Sequence, residues 1–371
     1  FAEGLEAWPG GTSRHLQATI PAKSRDNAVL WSMCRAREGT RGHPHAPQAA
    51  PVGEGEEILA RCLLSEGRCQ GGPEAAALAR EAALNLPGMR LAAREVPDCI
   101  AVTSWGTCAE GKRGREPPRP DAGDHAPRPR GGGAKPRLWR SRATDDLRPR
   151  MWDTCAVVAN GPLAKVAENG AVIDAHDAVW RFNLLMPEGQ AAYVGTKTTL
   201  RLMNVVRARE ASDGMGGNLN ATDGEKWLFL SPNAIGYMSG LEELFPAAEM
   251  TMVHGYALRW MMEVYLQTRL DVMRLTGRRW RCPDAITSGA KTALLAQKLC
   301  RTVDAFGFSY SQQLLRTRPG HMDDGQWGMS SAHAWDFEVM LIRLLHMAGR
   351  IDICTADVPG LGTDDLLGRG R

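Results

Sequence analysis

Residues 287–308 read TSGAKTALLAQKLCRTVDAFGF: a tight turn, one helix and one buried strand in succession. Thr287, Ser288 and Gly289 make the turn. Ala293, Leu294, Ala296 and Leu299 give the helix a small apolar face suited to close packing. Cys300 closes the helix. Val303, Ala305, Phe306 and Phe308 then make a strand, with Gly307 near its end. A hydroxyl-and-glycine turn at a helix N-terminus presents backbone N–H groups that suit a phosphate or carboxylate. Many α/β proteins contain such a turn, so taken alone it names no ligand.

The rest of the C-terminal half extends the same texture. Cys155 to Val158 is a short apolar run that reads as a buried strand, broken by Asn160-Gly161-Pro162. Ala171 to Ile173 and Ala178 to Phe182 read as further strands, separated by Asp174-Ala175-His176-Asp177. Thr198 to Met203 and Trp227 to Leu230 add two more. Tyr256 to Leu275 is a long helical pattern ending at Gly277, Phe337 to Met347 is an amphipathic helix stopped by Gly349, and Ile351 to Cys354 is a last strand. Strands alternating with helices predict an α/β fold with a mostly parallel sheet flanked by helices. Ligands of such sheets sit at the carboxyl ends of the strands. Asn160, Asn183 and the Thr287 turn all follow or end predicted strands.

Composition sets the outer bounds. The 371 residues are 43% hydrophobic, enough to bury a sizeable core, and the net charge of +3 gives no general case for binding nucleic acid. The nine cysteines form no CxxC pair, which argues against a zinc site. No run of 18 apolar residues is present, so no transmembrane helix is expected. The chain opens on Phe1 rather than Met, and any membrane attachment is expected through an N-terminal anchor absent from this sequence. Residues 1–136, rich in Gly, Pro, Ala and Arg, are expected to be variable and largely disordered, apart from an Ala-rich helix over Glu74 to Leu86. Lys112 to Arg150 holds twelve Lys or Arg against five Asp or Glu. A solvated linker accounts for that stretch. A basic tether for nucleic acid would want interleaved aromatics, and only Trp139 is on offer.

Four groups of residues together resemble the animal-type sialyltransferase family (glycosyltransferase family 29). The first runs from Cys155-Ala156-Val157-Val158-Ala159-Asn160 through Ile173-Asp174-Ala175-His176-Asp177, Val179, Arg181 and Asn183 to Val194-Gly195 and Thr198-Thr199, and resembles the long motif. Thr287-Ser288-Gly289, with Cys300 and Gly307-Phe308, resembles the short motif. His321-Met322-Asp323-Asp324 resembles the third. His333, four residues and Glu338 resemble the very short one. The four occur in the family's order and spacing over about Trp152 to Cys354. The long motif departs from the family pattern at Ala159-Asn160-Gly161-Pro162 and at Tyr193, the third lacks its aromatics, and the short has its two hydroxyl residues reversed.

The resemblance implies a variant GT-A-like, Rossmann-type sheet in a single catalytic domain over residues 137–371, preceded by a stem-like region over 1–136. It implies inverting transfer of sialic acid from CMP-sialic acid to a glycan hydroxyl, without a metal or other cofactor. His333 matches the catalytic base and His321 the residue that assists the leaving phosphate. Asn160, Asn183, Thr287, Ser288 and Gly289 match positions that hold CMP. Cys155 and Cys300 match the family's disulfide, which implies an oxidising compartment, the Golgi lumen. Cys282 and Cys354 form a second candidate pair. A catalytically silent relative, or a transferase using KDN or Kdo donors, are the alternatives, because the motifs read the CMP part of the donor. Acceptor choice is expected to lie in loops over Val205 to Lys226 and Ser231 to Pro246. His176 and Asp177 look like a catalytic pair but match a mainly structural stretch, and Asp323-Asp324 is only a weak metal candidate.

Overall fold

The computed structural model describes residues 25–38, 51, 53–65, 72–94, 96, 100–102, 147–165, 167–184, 186–214, 219–308 and 332–354. In chain order the elements are α1 (Arg25–Glu38), α2 (Glu54–Leu64), α3 (Gly72–Asn85), α4 (Pro87–Ala93), β1 (Ala101–Val102), β2 (Trp152–Val158), α5 (Gly170–Asp174), β3 (Ala178–Phe182), α6 (Ala191–Val194) and β4 (Leu200–Met203). They continue with α7 (Val205–Ser212), β5 (Lys226–Phe229), α8 (Ile235–Leu244), β6 (Glu249–Val253), α9 (Gly255–Thr276), α10 (Ser288–Leu299), β7 (Cys300–Phe306), α11 (Trp335–Met347) and β8 (Asp352–Ile353).

Alternation along the strands explains the layers. Cys155 and Val157 of β2 face one side of the sheet and Ala156 and Val158 the other, and all four are buried. Strands covered on both faces are the mark of a parallel sheet with helices above and below. The sheet runs β1-β6-β5-β4-β3-β2-β7-β8. β2 to β8 pair in parallel and only the short β1 runs antiparallel, against β6. One face carries α9, α10 and α11 in the principal core, with Trp180, Leu202, Tyr265, Leu294 and Phe337 among its buried side chains. The other face carries α5 to α8 over two smaller clusters.

The expected parallel α/β sheet is therefore present, and several local expectations change. Ala171 to Ile173 lie in a short helix, α5, not a strand. The two stretches expected as acceptor loops contain α7 and α8, which cover the sheet through Ala208, Ala211, Met238 and Leu241. The order expected in residues 1–136 was a single helix. The described parts of 25–102 instead form α1 to α4 and β1, and Leu30, Leu59, Leu63, Ala83 and Met89 enter the principal core.

Polar contacts fix these early helices. Glu56 of α2 takes a two-pronged contact from Arg274 of α9, at 2.6 and 2.8 Å. The Trp260 indole N–H donates to the Leu91 carbonyl at 3.1 Å. Arg343 of α11, itself buried, donates to the carbonyls of Cys62 and Ser65.

Two disulfides are described in full. Cys155–Cys300 joins β2 to the start of β7, with Cα atoms 6.0 Å apart, as the family resemblance implied. The pairing expected of Cys282 with Cys354 is not formed. Cys282 bonds Cys34 of α1 across 248 residues, tying the N-terminal layer to the chain just before α10. Cys354 is a free thiol, pushed up to about 12 by burial and by the nearby Asp304 and Asp352. Among the described residues no helix is long and apolar enough to cross a membrane.

Helix α4 docks on α9 through a glycine. The Gly88 N–H donates to the Asp271 carboxylate at 2.6 Å, and a Cβ at Gly88 would fall 2.3 Å from the Thr268 hydroxyl and 2.7 Å from its backbone nitrogen. Gly88→Ala must therefore push the helices apart. We expect urea titration to show a loss of about 1–3 kcal/mol, the usual cost of overpacking. An unchanged midpoint would mean the N-terminal layer is not packed this way.

Candidate active site

A parallel sheet delivers every strand's carboxyl end to one edge, and most of the predicted residues collect there. Asn160 follows β2. Its Nδ2 donates to the Phe182 carbonyl at the end of β3, 3.1 Å away, while its Oδ1 is buried without a protein partner. A buried acceptor left open in this way costs about 1–3 kcal/mol until something donates to it. Asn183 follows β3 with φ 55°, a left-handed turn that asparagine tolerates better than most residues. Its Oδ1 accepts from the Asn204 N–H at 3.1 Å, and its carbonyl accepts from Arg201 at 3.0 Å. That leaves the Nδ2 group of Asn183 for another partner.

The turn of residues 287–289 stands beside them. The Phe182 and Phe308 rings meet edge to face with centroids 6.4 Å apart. Gly289 packs on Phe308, so a Cβ there would lie 3.4 Å from the ring. Gly307, which ends β7, has φ 73°, and a Cβ on it would strike Ala164 at 2.7 Å. Thr287 caps α10 by accepting the Ala290 N–H at 3.1 Å. The N–H groups of Ser288 and Gly289 take no partner among the described residues. They point off the positive end of the helix, an arrangement that favours an anion.

His333 flanks this turn. Its Nδ1 lies 2.8 Å from the Ala285 carbonyl, and the Ala332 carbonyl accepts from the N–H groups of Asp284 and Ala285 at 2.9 and 3.1 Å. The base candidate is thus pinned two residues before Thr287. A carbonyl can only accept, so Nδ1 carries the proton and the neutral ring keeps its lone pair on Nε2. The Trp335 ring packs edge-on at 5.2 Å. Burial pushes the imidazole below its ordinary value of 6.5; the Ala285 contact opposes the shift and the Lys291 charge adds to it. His321, Asp323 and Asp324 lie outside the described residues, as do positions 112–146 of the basic stretch that runs from Lys112 to Arg150. Among the described residues no group of three or more His, Cys, Asp or Glu side chains could hold a metal ion.

His176 and Asp177 sit at the opposite edge, where β3 begins. His176 pairs with Asp304 at 3.0 Å, which raises its pKa, and the Asp177 carboxylate accepts from the backbone and hydroxyl of Thr154. They brace the start of the sheet and face away from the site.

Two further residues lie close to this turn, Glu338 of the very short motif and Lys291. Glu338 reads as a carboxylate complementing the α11 dipole. In the fold it is 5% exposed; Oε1 accepts the Thr287 N–H at 3.1 Å, and Oε2 meets the Thr287 hydroxyl. Burial raises its pKa to about 7 despite these two contacts. Lys291, one turn into α10, reaches the same region. Its only signal is a long cation in an otherwise small and apolar helix start.

The model of glycosyltransferase family 29 (sialyltransferase) matches residues 135–350, more than half of the chain, and the chain belongs to that family. It is 27% identical over 183 residues to human alpha-N-acetylgalactosaminide alpha-2,6-sialyltransferase 1, covering 42% of this chain and 30% of that one. It is 49% identical over 53 residues to human beta-galactoside alpha-2,6-sialyltransferase 1, covering 14% and 13% of the two. A sialyltransferase-like protein 1 of Oryza sativa subsp. japonica is 47% identical over 56 residues, covering 15% and 14%. The match thus spans less than a third of the length of these relatives. Among solved structures, a mammalian sialyltransferase superposes over 56% of this chain and 70% of its own with TM-score 0.42 and 18% identity. The Campylobacter jejuni alpha-2,3-sialyltransferase Cst-I does so over 60% and 85% with TM-score 0.36 and 14% identity.

Glu338 makes stability depend on pH in a stated direction. Its folded pKa of about 7 exceeds the ordinary 4.5, so the folded protein keeps a proton that the unfolded chain releases. Stability then falls as pH rises from 4.5 through 7. Glu338→Gln removes the titration while keeping the shape. Its stability relative to the parent should rise across that window by on the order of 3 kcal/mol, read by chemical denaturation at a series of pH values. A difference that does not vary with pH would rule out a neutral buried carboxyl.

Proposed function

We propose that this protein is an inverting sialyltransferase that moves sialic acid from CMP-sialic acid to a glycan hydroxyl, with His333 as the base. The observation that carries the reading is the Nδ1 contact of His333 with Ala285, which leaves Nε2 as the basic atom beside a helix N-terminus able to hold a phosphate. In the reaction the acceptor O–H gives its proton to Nε2 as its oxygen bonds to the anomeric carbon. The carbon–oxygen bond to phosphate breaks, and CMP departs with the electron pair. Attack from the face opposite CMP inverts the configuration. The transition state has oxocarbenium character, and the leaving phosphate needs charge stabilisation more than a strong acid. Ser288 and Gly289 N–H groups suit that task, and His321 is assigned to assist it. The open Oδ1 of Asn160 and Nδ2 of Asn183 suit the nucleoside. No metal enters this scheme.

The CMP-directed residues do not discriminate sialic acid from KDN or Kdo, so those donors belong in the first screen. The relatives named above include enzymes of galactosides and N-acetylgalactosaminides, and these are the acceptors to offer. The long-range disulfides support residence in an oxidising compartment, for which we propose the Golgi lumen.

His333→Ala should lower the turnover of CMP-sialic acid roughly a hundred- to ten-thousand-fold while CMP still binds. In the parent enzyme, the acid limb of kcat/KM should fall below the ordinary imidazole value, because the ring is held neutral. Release of CMP at the parent rate by the Ala variant would remove His333 from the mechanism.

A further inference from the structure

Residues 219–222 read Leu-Asn-Ala-Thr, in the loop that joins α7 to β5. The chain has nine asparagines, and Asn220 alone is followed by a residue other than proline and then by Ser or Thr. That spacing is the acceptor pattern for N-linked glycans, and it belongs on surface loops. So short a pattern needs the fold beside it. Leu219 and Ala221 are buried with Met203, Ala208 and Trp227, in the cluster under α7 and α8. Asn220 and Thr222, which alternate with them, are exposed. The Asn220 amide takes no hydrogen-bonding partner among the described residues. Thr222 is held from behind: its N–H donates to the buried Glu225 carboxylate at 3.3 Å, and its carbonyl accepts the Glu225 N–H at 3.0 Å. The backbone around Asn220 is thus anchored while the side chain stays in water. The loop enters β5 from the amino edge of the sheet, away from the carboxyl edge that carries Asn160, Asn183 and the turn of residues 287–289. A bulky branch there stands clear of the candidate site.

We propose that Asn220 is a modification site that carries an N-linked glycan. This rests on the oxidising-compartment reading given above, which the Cys34–Cys282 and Cys155–Cys300 bonds support. The co-reactant is an oligosaccharide carried on a lipid diphosphate, met only by chains that enter the secretory route. The Asn220 Nδ2 bonds to the anomeric carbon of that sugar. The carbon–oxygen bond to phosphate breaks, the lipid diphosphate leaves with the electron pair, and the amide gives up one of its two protons. The Thr222 hydroxyl is the second element of the pattern, two residues on. In the fold it also reaches the Glu225 carboxylate at 3.5 Å. A threonine present only to brace the loop would not make the modification of Asn220 depend on it.

The test uses the native protein isolated from the cells that make it, beside Asn220→Gln, Thr222→Ala and Thr222→Ser chains expressed in the same cells. Peptide N-glycosidase should raise the gel mobility of the parent by the step of one glycan. It should also convert Asn220 to an aspartate, seen by peptide mass spectrometry. Asn220→Gln and Thr222→Ala should lack the mobility step, and Thr222→Ser, which keeps a hydroxyl, should retain it. Thiol alkylation without reduction reports the Cys155–Cys300 bond in the same sample. A formed bond with Asn220 unmodified, or a mobility step that survives Asn220→Gln, overturns the proposal and leaves the compartment reading intact. Free thiols at Cys155 and Cys300 together with an unmodified Asn220 overturn both.

Discussion

Glu338 is a carboxyl sealed from water, and the start of α10 is built on it. One oxygen takes the Thr287 N–H and the other meets the Thr287 hydroxyl, which in turn accepts the N–H of Ala290. The hydroxyl-and-glycine turn is therefore held by a side chain of a different helix, fifty-one residues on. Tyr265 of α9 adds its hydroxyl at 3.4 Å, so three helices on one face of the sheet meet at a single polar point. Removing such a group leaves an N–H and a hydroxyl unpaired in a dry interior, which costs more than the contact itself is worth. The same helix that supplies Glu338 begins just after His333. The position of the imidazole and the shape of the hydroxyl-and-glycine turn are thus set together by α11.

The other half of the site is braced from the opposite face. Asn183 can hold its left-handed turn because its carbonyl is taken by Arg201 and its side chain by the N–H of Asn204. Arg201 is buried and pairs with Glu225 at 2.6 Å; the same carboxylate accepts the Trp227 indole N–H at 2.8 Å. A buried ion pair adds little net stability, and its common use is to fix a geometry. Arg181, the neighbour of Arg201 across the β3–β4 pairing, donates to three acceptors in the chain that leads into β4. Burial pulls its pKa down to about 10; the Asp174 charge opposes the shift and the positive Arg201 adds to it. Both arginines belong to strands, whose spacing cannot drift, and such rigidity holds Asn183 in place.

What the sequence made legible follows from range. Strongly apolar runs such as Cys155 to Val158 and long periodic helices such as Tyr256 to Leu275 declare themselves locally, and both were found within a few residues of their observed ends. Ala171 to Ile173 is apolar but only three residues long, too short for its period to separate helix from strand. Glycines at 236 and 240 hide α8, although Met238 and Leu241 still reach the core. Among the early helices, the Ala-rich run over Glu74 to Leu86 declares α3, whereas α1, α2 and α4 carry no such local signal. Their burial depends on partners far along the chain, through Cys34–Cys282, Glu56–Arg274 and Gly88–Asp271, and no local pattern encodes such a partner. The candidate site divides in the same way. The family resemblance names Asn160, Asn183, the turn and His333, whereas the grip of Glu338 on Thr287 exists only once α10 and α11 are packed.

One consequence joins these pieces. Burial acts on His333 and Glu338 alike, but because one is a base and the other an acid it moves them in opposite directions: the imidazole below its ordinary value, the carboxyl up to about 7. Between those two limits both groups are neutral. Above the upper limit Glu338 ionises under the turn, placing a negative charge beneath the N–H groups that the proposed function gives to a phosphate. Below the lower limit His333 is protonated and could not serve as the base proposed for it. A pair that is neutral together places no negative charge beneath the N–H groups at the start of α10. The same low-dielectric packing that holds α10 and α11 together therefore also sets which of these two groups carries a charge.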